Sequence, residues 1–239
     1  MRAVTVVIPA HDEEALIGRC LASVARAVAH ARDRETDLVA RVVVVLDACR
    51  DTTALQVRRW AVDTIAIDAR SVGTARRVGA AHAVASVDVR AEDTWIAMTD
   101  ADTVVPREWI THQLDLMRDG ADLVLGTVRP DFADLSARHA AYWRSTHRRG
   151  EPAGNVHGAN LGVRASVYAA AGGIRDLVEH EDVAFVQAAR AVGAVVRVSD
   201  AHEVETSGRF TGRTPAGYAA FLRRVHAWVD APPLAAPGA

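Results

Sequence analysis

Lysine is absent from this 239-residue chain: all 28 of its Lys-or-Arg positions are Arg. Without an amine side chain there is no Walker A phosphate loop, no Schiff-base chemistry and no kinase-type lysine. Arginine still grips phosphates in bidentate fashion. Cysteine is scarce as well. Cys20 and Cys49 are too few for a disulfide framework or a structural zinc site. No apolar run nears the length of a membrane span, and no signal-peptide pattern follows Met1. A cytoplasmic location is therefore the default expectation. Charge of one sign is lacking too: the net charge of −2 and pI near 6.5 give no global basic field for nucleic acid or an anionic membrane.

What is present is an ordinary soluble composition, 50% hydrophobic and 24% charged, enough to bury a sizeable core. The pattern predicts one domain over residues 1–230 and a disordered tail over 231–239. Residues 3–9 (AVTVVIP) form a continuous apolar run, as in a strand buried on both faces. A helix over 13–31 follows, with Leu16, Cys20, Val24 and Val28 at i+4 spacing, which makes Cys20 a core residue. Further strands are predicted at 39–46, 62–67, 94–99 and 121–128. Helices are predicted from Asp51 or Thr52 to 61, over 73–86 and over 106–119, the last with Pro106 in its first turn. The second half is less regular. It reads as helix 134–149, a Gly-rich loop 150–158, a short strand 159–164, a helix from 180 to 192, a strand 195–198, a polar loop 206–214 and a helix 215–229.

Alternating strands and helices argue an α/β fold with a mostly parallel sheet. Ligands of such sheets bind beyond the carboxyl ends of the strands. Three acidic clusters fall there: His11-Asp12-Glu13-Glu14, Asp47 and Asp100-Ala101-Asp102. In extended chain, residues i and i+2 project the same way, so Asp100 and Asp102 suit a hard cation such as Mg²⁺ or Mn²⁺. An isolated Asp-x-Asp is more often just a polar turn. Likewise Asp12 reads equally as a helix N-cap, Asp47 as a turn former and Arg76 as a solvated helix residue.

The order of these motifs resembles family-2 glycosyltransferases of the GT-A fold over nearly the whole chain. The matching residues are Val7-Ile8-Pro9-Ala10-His11-Asp12-Glu13-Glu14, Asp47, Gly73 with Arg76, Asp100-Ala101-Asp102, Gly172-Gly173 and Glu181-Asp182. Departures are His11-Asp12 where the family usually has Tyr-Asn, and Asp47-Ala48-Cys49-Arg50 where it has an acidic-acidic-Gly-Ser run. The resemblance implies a Rossmann-like nucleotide-binding half (1–103) joined to a smaller acceptor half (104–230).

It further implies a sugar nucleotide donor, with Pro9, Ala10, His11 and Glu13 bordering base and ribose and Asp47 accepting from the base ring N–H. UDP is favoured over GDP. Gly73, Arg76 and Ala101 belong to the same donor site. Asp102 would ligate Mn²⁺ or Mg²⁺, Asp100 would contact the ribose or assist the metal, and His202 is a candidate further ligand. Asp182 would be the general base of an inverting displacement, with Glu181 orienting acceptor or base. Ser207, Arg209 and Arg213 would close over the diphosphate, and residues 157–160 (His157 to Asn160) would line the sugar pocket; Tyr142 and Trp143 read as packing. The acceptor is unreadable, either soluble or carried by a lipid through peripheral membrane contact. Two rivals stand beside this reading. A sugar-1-phosphate nucleotidylyltransferase would show a Gly-rich, Arg- or Lys-bearing loop where this chain has PAHDEE. A non-catalytic nucleotide-sugar-binding domain would have no need of both Asp102 and Asp182.

Overall fold

The computed structural model describes residues 2–150, 152, 154–177, 179–212 and 217–230. The first half alternates as expected: β1 (Arg2–Ala10), α1 (Ile17–Arg34), β2 (Leu38–Asp47), α2 (Thr53–Val57), β3 (Asp63–Ile67), α3 (Val72–Ala85) and β4 (Thr94–Met98). The second half adds β5 (Thr103–Val104), α4 (Trp109–Arg118), β6 (Leu123–Pro130) and α5 (Ala137–Thr146). It continues with β7 (Leu161–Arg164), α6 (Ala165–Ala170), α7 (Glu181–Ala191), β8 (Val196–Thr206) and α8 (Tyr218–Val229).

One sheet takes the strands in the order β3-β2-β1-β4-β7-β6-β8-β5. The β1–β4 block is parallel, with Val6 opposite Val42 of β2 and Ala97 of β4. β7 is inserted antiparallel between β4 and β6, and β8 runs parallel to β6. The side-chain period of two splits β1 between two cores. Val4, Val6 and Ile8 meet Leu21 and Val24 of α1 and Ile110 and Leu114 of α4. Val7, with Val43 and Val45, lies under Ala75 and Ala80 of α3 and Phe185 of α7. Each such buried aliphatic side chain contributes roughly 1.5–3 kcal/mol, so the sheet holds its loops from both sides. Cys20 sits in the first core, as expected, and its thiol donates to the Asp100 carbonyl at 3.3 Å.

Several boundaries differ from the sequence expectation. α1 starts at Ile17, not at residue 13, because residues 13–16 form a preceding turn closed by Leu16 and Ile17 amides on the Glu13 carbonyl. Asp12 does not cap it. With φ of +50°, it turns its carboxylate to the Arg50 amide at 2.7 Å instead. α5 is shorter than predicted because Ser136 caps it, accepting from the His139 amide. β8 runs on through Thr206, not ending at 198, and β5, unforeseen at two residues, pairs with its end. The predicted tail 231–239 and the start of the last helix at 215 lie outside the described residues, as does Arg213. No helix among the described residues is long and apolar enough to cross a membrane.

Candidate functional site

The carboxyl ends of β1, β2 and β4 open onto a cavity of about 1310 Å³. Its wall includes Pro9, Ala10, His11, Glu13, Asp47, Arg76, Asp100, Ala101, Asp102, Glu181, Asp182 and Arg209. Three expected site residues, Gly73, Asn160 and His202, are not on that wall.

Asp47 ends β2, and its buried carboxylate organises the neighbouring loop. Oδ1 accepts from the amides of Ala69 (2.7 Å) and Arg70 (2.8 Å), and Oδ2 from that of Ser71 (2.7 Å). These bonds hold Arg70 at φ +52°, a conformation unusual for a residue with a Cβ. Ser71 in turn caps α3 by accepting from Thr74. His11 approaches the Asp47 carbonyl with Nδ1 at 2.5 Å.

Arg76, one turn into α3, is not solvated: it is 4% exposed. Nη2 donates to Asp100 Oδ1 at 2.5 Å and Nη1 to Glu181 Oε1. Burial works against its charge, but Asp100, Glu181 and Asp182 outweigh burial and hold its pKa above the ordinary value. The guanidinium is thus committed to two carboxylates and does not reach out to a base. Glu181, expected to orient acceptor or base, is the buried partner of Arg76. Two glycines make room for this cluster. A Cβ on Gly158 would lie 2.2 Å from Arg76 Cζ, and one on Gly73 would lie 2.8 Å from the Arg175 carbonyl oxygen. Gly73 is therefore a packing residue behind the wall, not a donor contact.

Asp182 follows Glu181 in the first turn of α7 and also lines the cavity. Its Oδ2 accepts from the Gly158 amide at 2.9 Å and its Oδ1 from Val183 at 2.8 Å. His157 lies on the same wall, with its pKa lowered by burial against the opposing pull of Asp182 and Asp100. Ala159 also lines the cavity, whereas Asn160 does not. Asn160 accepts from Trp109 Nε1 at 2.8 Å and donates to the Thr127 carbonyl at 2.9 Å, a structural role.

The acidic corner holds Asp102 and Glu13 around one cation, Arg209. Its fork donates to both Glu13 oxygens at 3.0 and 2.6 Å, and Nη2 is also 2.9 Å from Asp102 Oδ2. Thr206 Oγ1 donates to Asp102 Oδ1 at 3.2 Å. Burial, reinforced by Asp100 and Glu13 and opposed by Arg209, pushes the Asp102 pKa up to about 6. Ser207 joins this wall, its amide donating to the Asp102 carbonyl at 3.2 Å.

His202 is elsewhere. Because β8 continues past 198, its ring packs against His112 of α4, 4.6 Å between centroids. It is not brought to Asp102. Among the described residues no group of three or more His, Cys, Asp or Glu is arranged to hold a metal ion. With His202 elsewhere, Asp100 and Asp102 are the two expected ligands on the cavity wall, and their chemistry fits such an ion. They are oxygen donors in a crowded negative corner that already holds a cationic side chain, and Mg²⁺ commonly takes one or two carboxylates plus phosphate oxygens and water.

The sequence reading missed Arg129, Arg144, Arg148 and Arg149, which line another part of the cavity. Arg144, Arg148 and Arg149 belong to a basic run at the end of the predicted helix 134–149, whereas Arg129 lies in β6. Trp143 is buried as expected yet also lines the cavity, stacked on His147 at 4.0 Å. Tyr142 packs edge-on against Trp228.

Comparison with known proteins bears on the fold and the family. A mannosyltransferase from Pyrobaculum calidifontis, solved with GDP-Man and Mn²⁺, superposes with TM-score 0.66 at 20% identity, over 95% of this chain and 62% of its own. TarS from S. aureus gives 0.62 at 14% identity, over 87% and 61%. Glucosyl-3-phosphoglycerate synthase from Mycobacterium tuberculosis, with Mg²⁺ and UDP, gives 0.52 at 16%, over 86% and 70%. This chain thus spans about three fifths of the length of the first two. No curated protein sequence matches it. These likenesses show the α/β, GT-A-type fold that the resemblance implied. Residues 5–180 match the family described as "Glycosyl transferase family 2", and the chain belongs to that family.

Proposed function

We propose that the chain transfers a sugar from a nucleoside diphosphate donor to an acceptor hydroxyl, with inversion at the anomeric carbon. The observation that carries this reading is one cavity lined by both Asp102 and Asp182 in a family-2 chain. Asp102, with Asp100 beside it, would hold Mn²⁺ or Mg²⁺. A divalent cation bound there supplies electrostatic stabilisation to the departing nucleoside diphosphate.

Asp182 is the general base. Its carboxylate is held by the Gly158 and Val183 amides and keeps lone pairs facing the cavity. The acceptor oxygen attacks the anomeric carbon, its proton passes to Asp182, and the bond to the diphosphate breaks. Base catalysis of this kind typically contributes 10²–10⁴-fold. Asp47 Oδ2 accepts a single amide bond, which leaves an acceptor position for a base ring N–H. Uracil and guanine both offer that N–H. UDP-sugar is the favoured donor, and GDP-sugar the alternative.

Release of nucleoside diphosphate from a panel of UDP- and GDP-sugars with Mn²⁺ tests the reading. Wild type should release one nucleotide slowly to water, and Asp182→Asn should lower that rate at least about 100-fold. Equal rates in both proteins would remove Asp182 from the chemistry.

A further inference from the structure

The cavity wall changes sign along its length. Around the strand ends stand Glu13, Asp47, Asp100 and Asp102. Where α5 ends and the chain turns toward residue 150, the wall instead carries Arg144, His147, Arg148 and Arg149, with Arg129 of β6 nearby.

These groups are backed by packed aromatic rings. His147 stacks on the buried Trp143 with planes 6° apart, and its Nδ1 lies 2.9 Å from the Trp143 carbonyl. Trp143 meets Phe132 edge-on at 5.3 Å, and Arg144 lies over the Phe132 ring at 4.2 Å. The acids of this stretch are already engaged. Glu205 and Glu203 face Arg129 at 2.5 and 4.0 Å, and Asp200 accepts from the Gly150 amide. Among the described residues, Arg144, Arg148 and Arg149 have no carboxylate in ion-pair contact. Three like charges on one wall repel each other. A carboxylate or a phosphate presents two oxygens that accept from such forks in bidentate fashion, whereas a neutral hydroxyl does not.

The same connection leads to the proposed base. It begins at His147 and ends in His157 and Gly158, whose amide holds Asp182. The electrostatics agree: besides burial, Asp182, Asp100 and His147 all act on the His157 ring. Asp182 and the three arginines line the same cavity, so a molecule with its hydroxyl at Asp182 can extend toward the basic segment.

We infer that Arg144, Arg148 and Arg149 form an acceptor subsite, and that the acceptor carries a phosphate or carboxylate close to its reacting hydroxyl. The hydroxyl rests on the transferase reading above; the anion site rests on the arginines alone. The anion is either free or borne by a lipid, and the same contacts serve both.

Calorimetric titration of glycerol 3-phosphate, glycerate and glycerol into chain saturated with Mn²⁺ and nucleoside diphosphate tests this. Saturation keeps the probes out of the donor's phosphate positions. The two anions should bind and glycerol should not. In the Arg144→Ala, Arg148→Ala, Arg149→Ala triple variant, anion affinity should fall by about tenfold or more, with nucleotide binding and melting temperature unchanged. The three side chains are exposed, so the variant is expected to fold. Co-sedimentation with phosphatidylcholine vesicles containing phosphatidylglycerol separates the sources. Binding of vesicles alone, lost in the triple variant, names a lipid-borne phosphate, and binding of free glycerol 3-phosphate names a soluble one. Equal binding of glycerol, anion affinity unchanged in the variant, or no binding in either arm overturns the inference. If no nucleotide binds, the transferase reading fails, and the same titration into unloaded chain still decides the anion site.

Discussion

Arg76 and Glu181 form a buried ion pair that joins α3 to the first turn of α7. Through Nη2 the same guanidinium also holds Asp100, so the Asp-x-Asp segment and the Glu181-Asp182 turn are positioned by one side chain. Removing one partner of a buried pair leaves the other charge uncompensated, at about 3–5 kcal/mol. Arg76→Met should therefore lower stability by that order in denaturant unfolding. Arg76→Met with Glu181→Met should be less destabilised than the single change. Additive losses would show that the pair is not coupled.

Gly158→Ala probes the same cluster from the other side. Its Cβ would overlap the Arg76 guanidinium, and such overpacking typically costs 1–3 kcal/mol. The expected result is a lower melting temperature together with loss of the Asp182 amide contact, read as a slower transfer rate. A variant as stable and active as wild type contradicts the packing described for Arg76.

The Asp102 carboxylate is held at a cost. Its pKa, about 6 when folded against the ordinary 3.8, means that the folded state binds more protons between those values. Stability contributed by this group is full below pH 3.8 and is lost as pH rises through 6. At one pKa unit per 1.36 kcal/mol, the loss is about 3 kcal/mol at most. In EDTA, Asp102→Asn should thus be more stable than wild type at pH 8, with the advantage fading toward pH 4. A pH-independent difference contradicts this account of the corner.

Arg209 occupies the face of Asp102 and both oxygens of Glu13, where a cation would compete with it. Arg209→Met should bind Mn²⁺ alone about tenfold more tightly, equivalent to about 1.4 kcal/mol, as read from the free-Mn²⁺ electron paramagnetic resonance signal. Weaker binding in the variant would mean that Arg209 shapes the metal site rather than filling it.

The fold was legible because its signals are local. The apolar runs of β1, β2 and β4 and the i+4 stripe of α1 need no partner to be recognised. What escaped is set by partners distant in sequence. Nothing near Arg76 announces that it pairs with Glu181, 105 residues on, or that Asp47 will turn to three loop amides. His202 was misplaced for a related reason. The strand predicted to end at 198 runs on to Thr206, resuming its pairing with β6 at Val204 after an irregularity, and His202 within that irregular stretch packs against His112 of α4. Asp12 fits an N-cap by sequence, but its positive φ aims it at the Arg50 amide instead.

The central claim is a donor site at Asp102 that needs both nucleotide and metal. Calorimetric titration of UDP and of GDP, each with and without Mn²⁺, into wild type and Asp102→Ala tests it most directly. The account predicts metal-dependent binding of one nucleotide, UDP before GDP, that disappears in Asp102→Ala. Binding of neither nucleotide in the presence of Mn²⁺, or binding indifferent to Asp102, would contradict it.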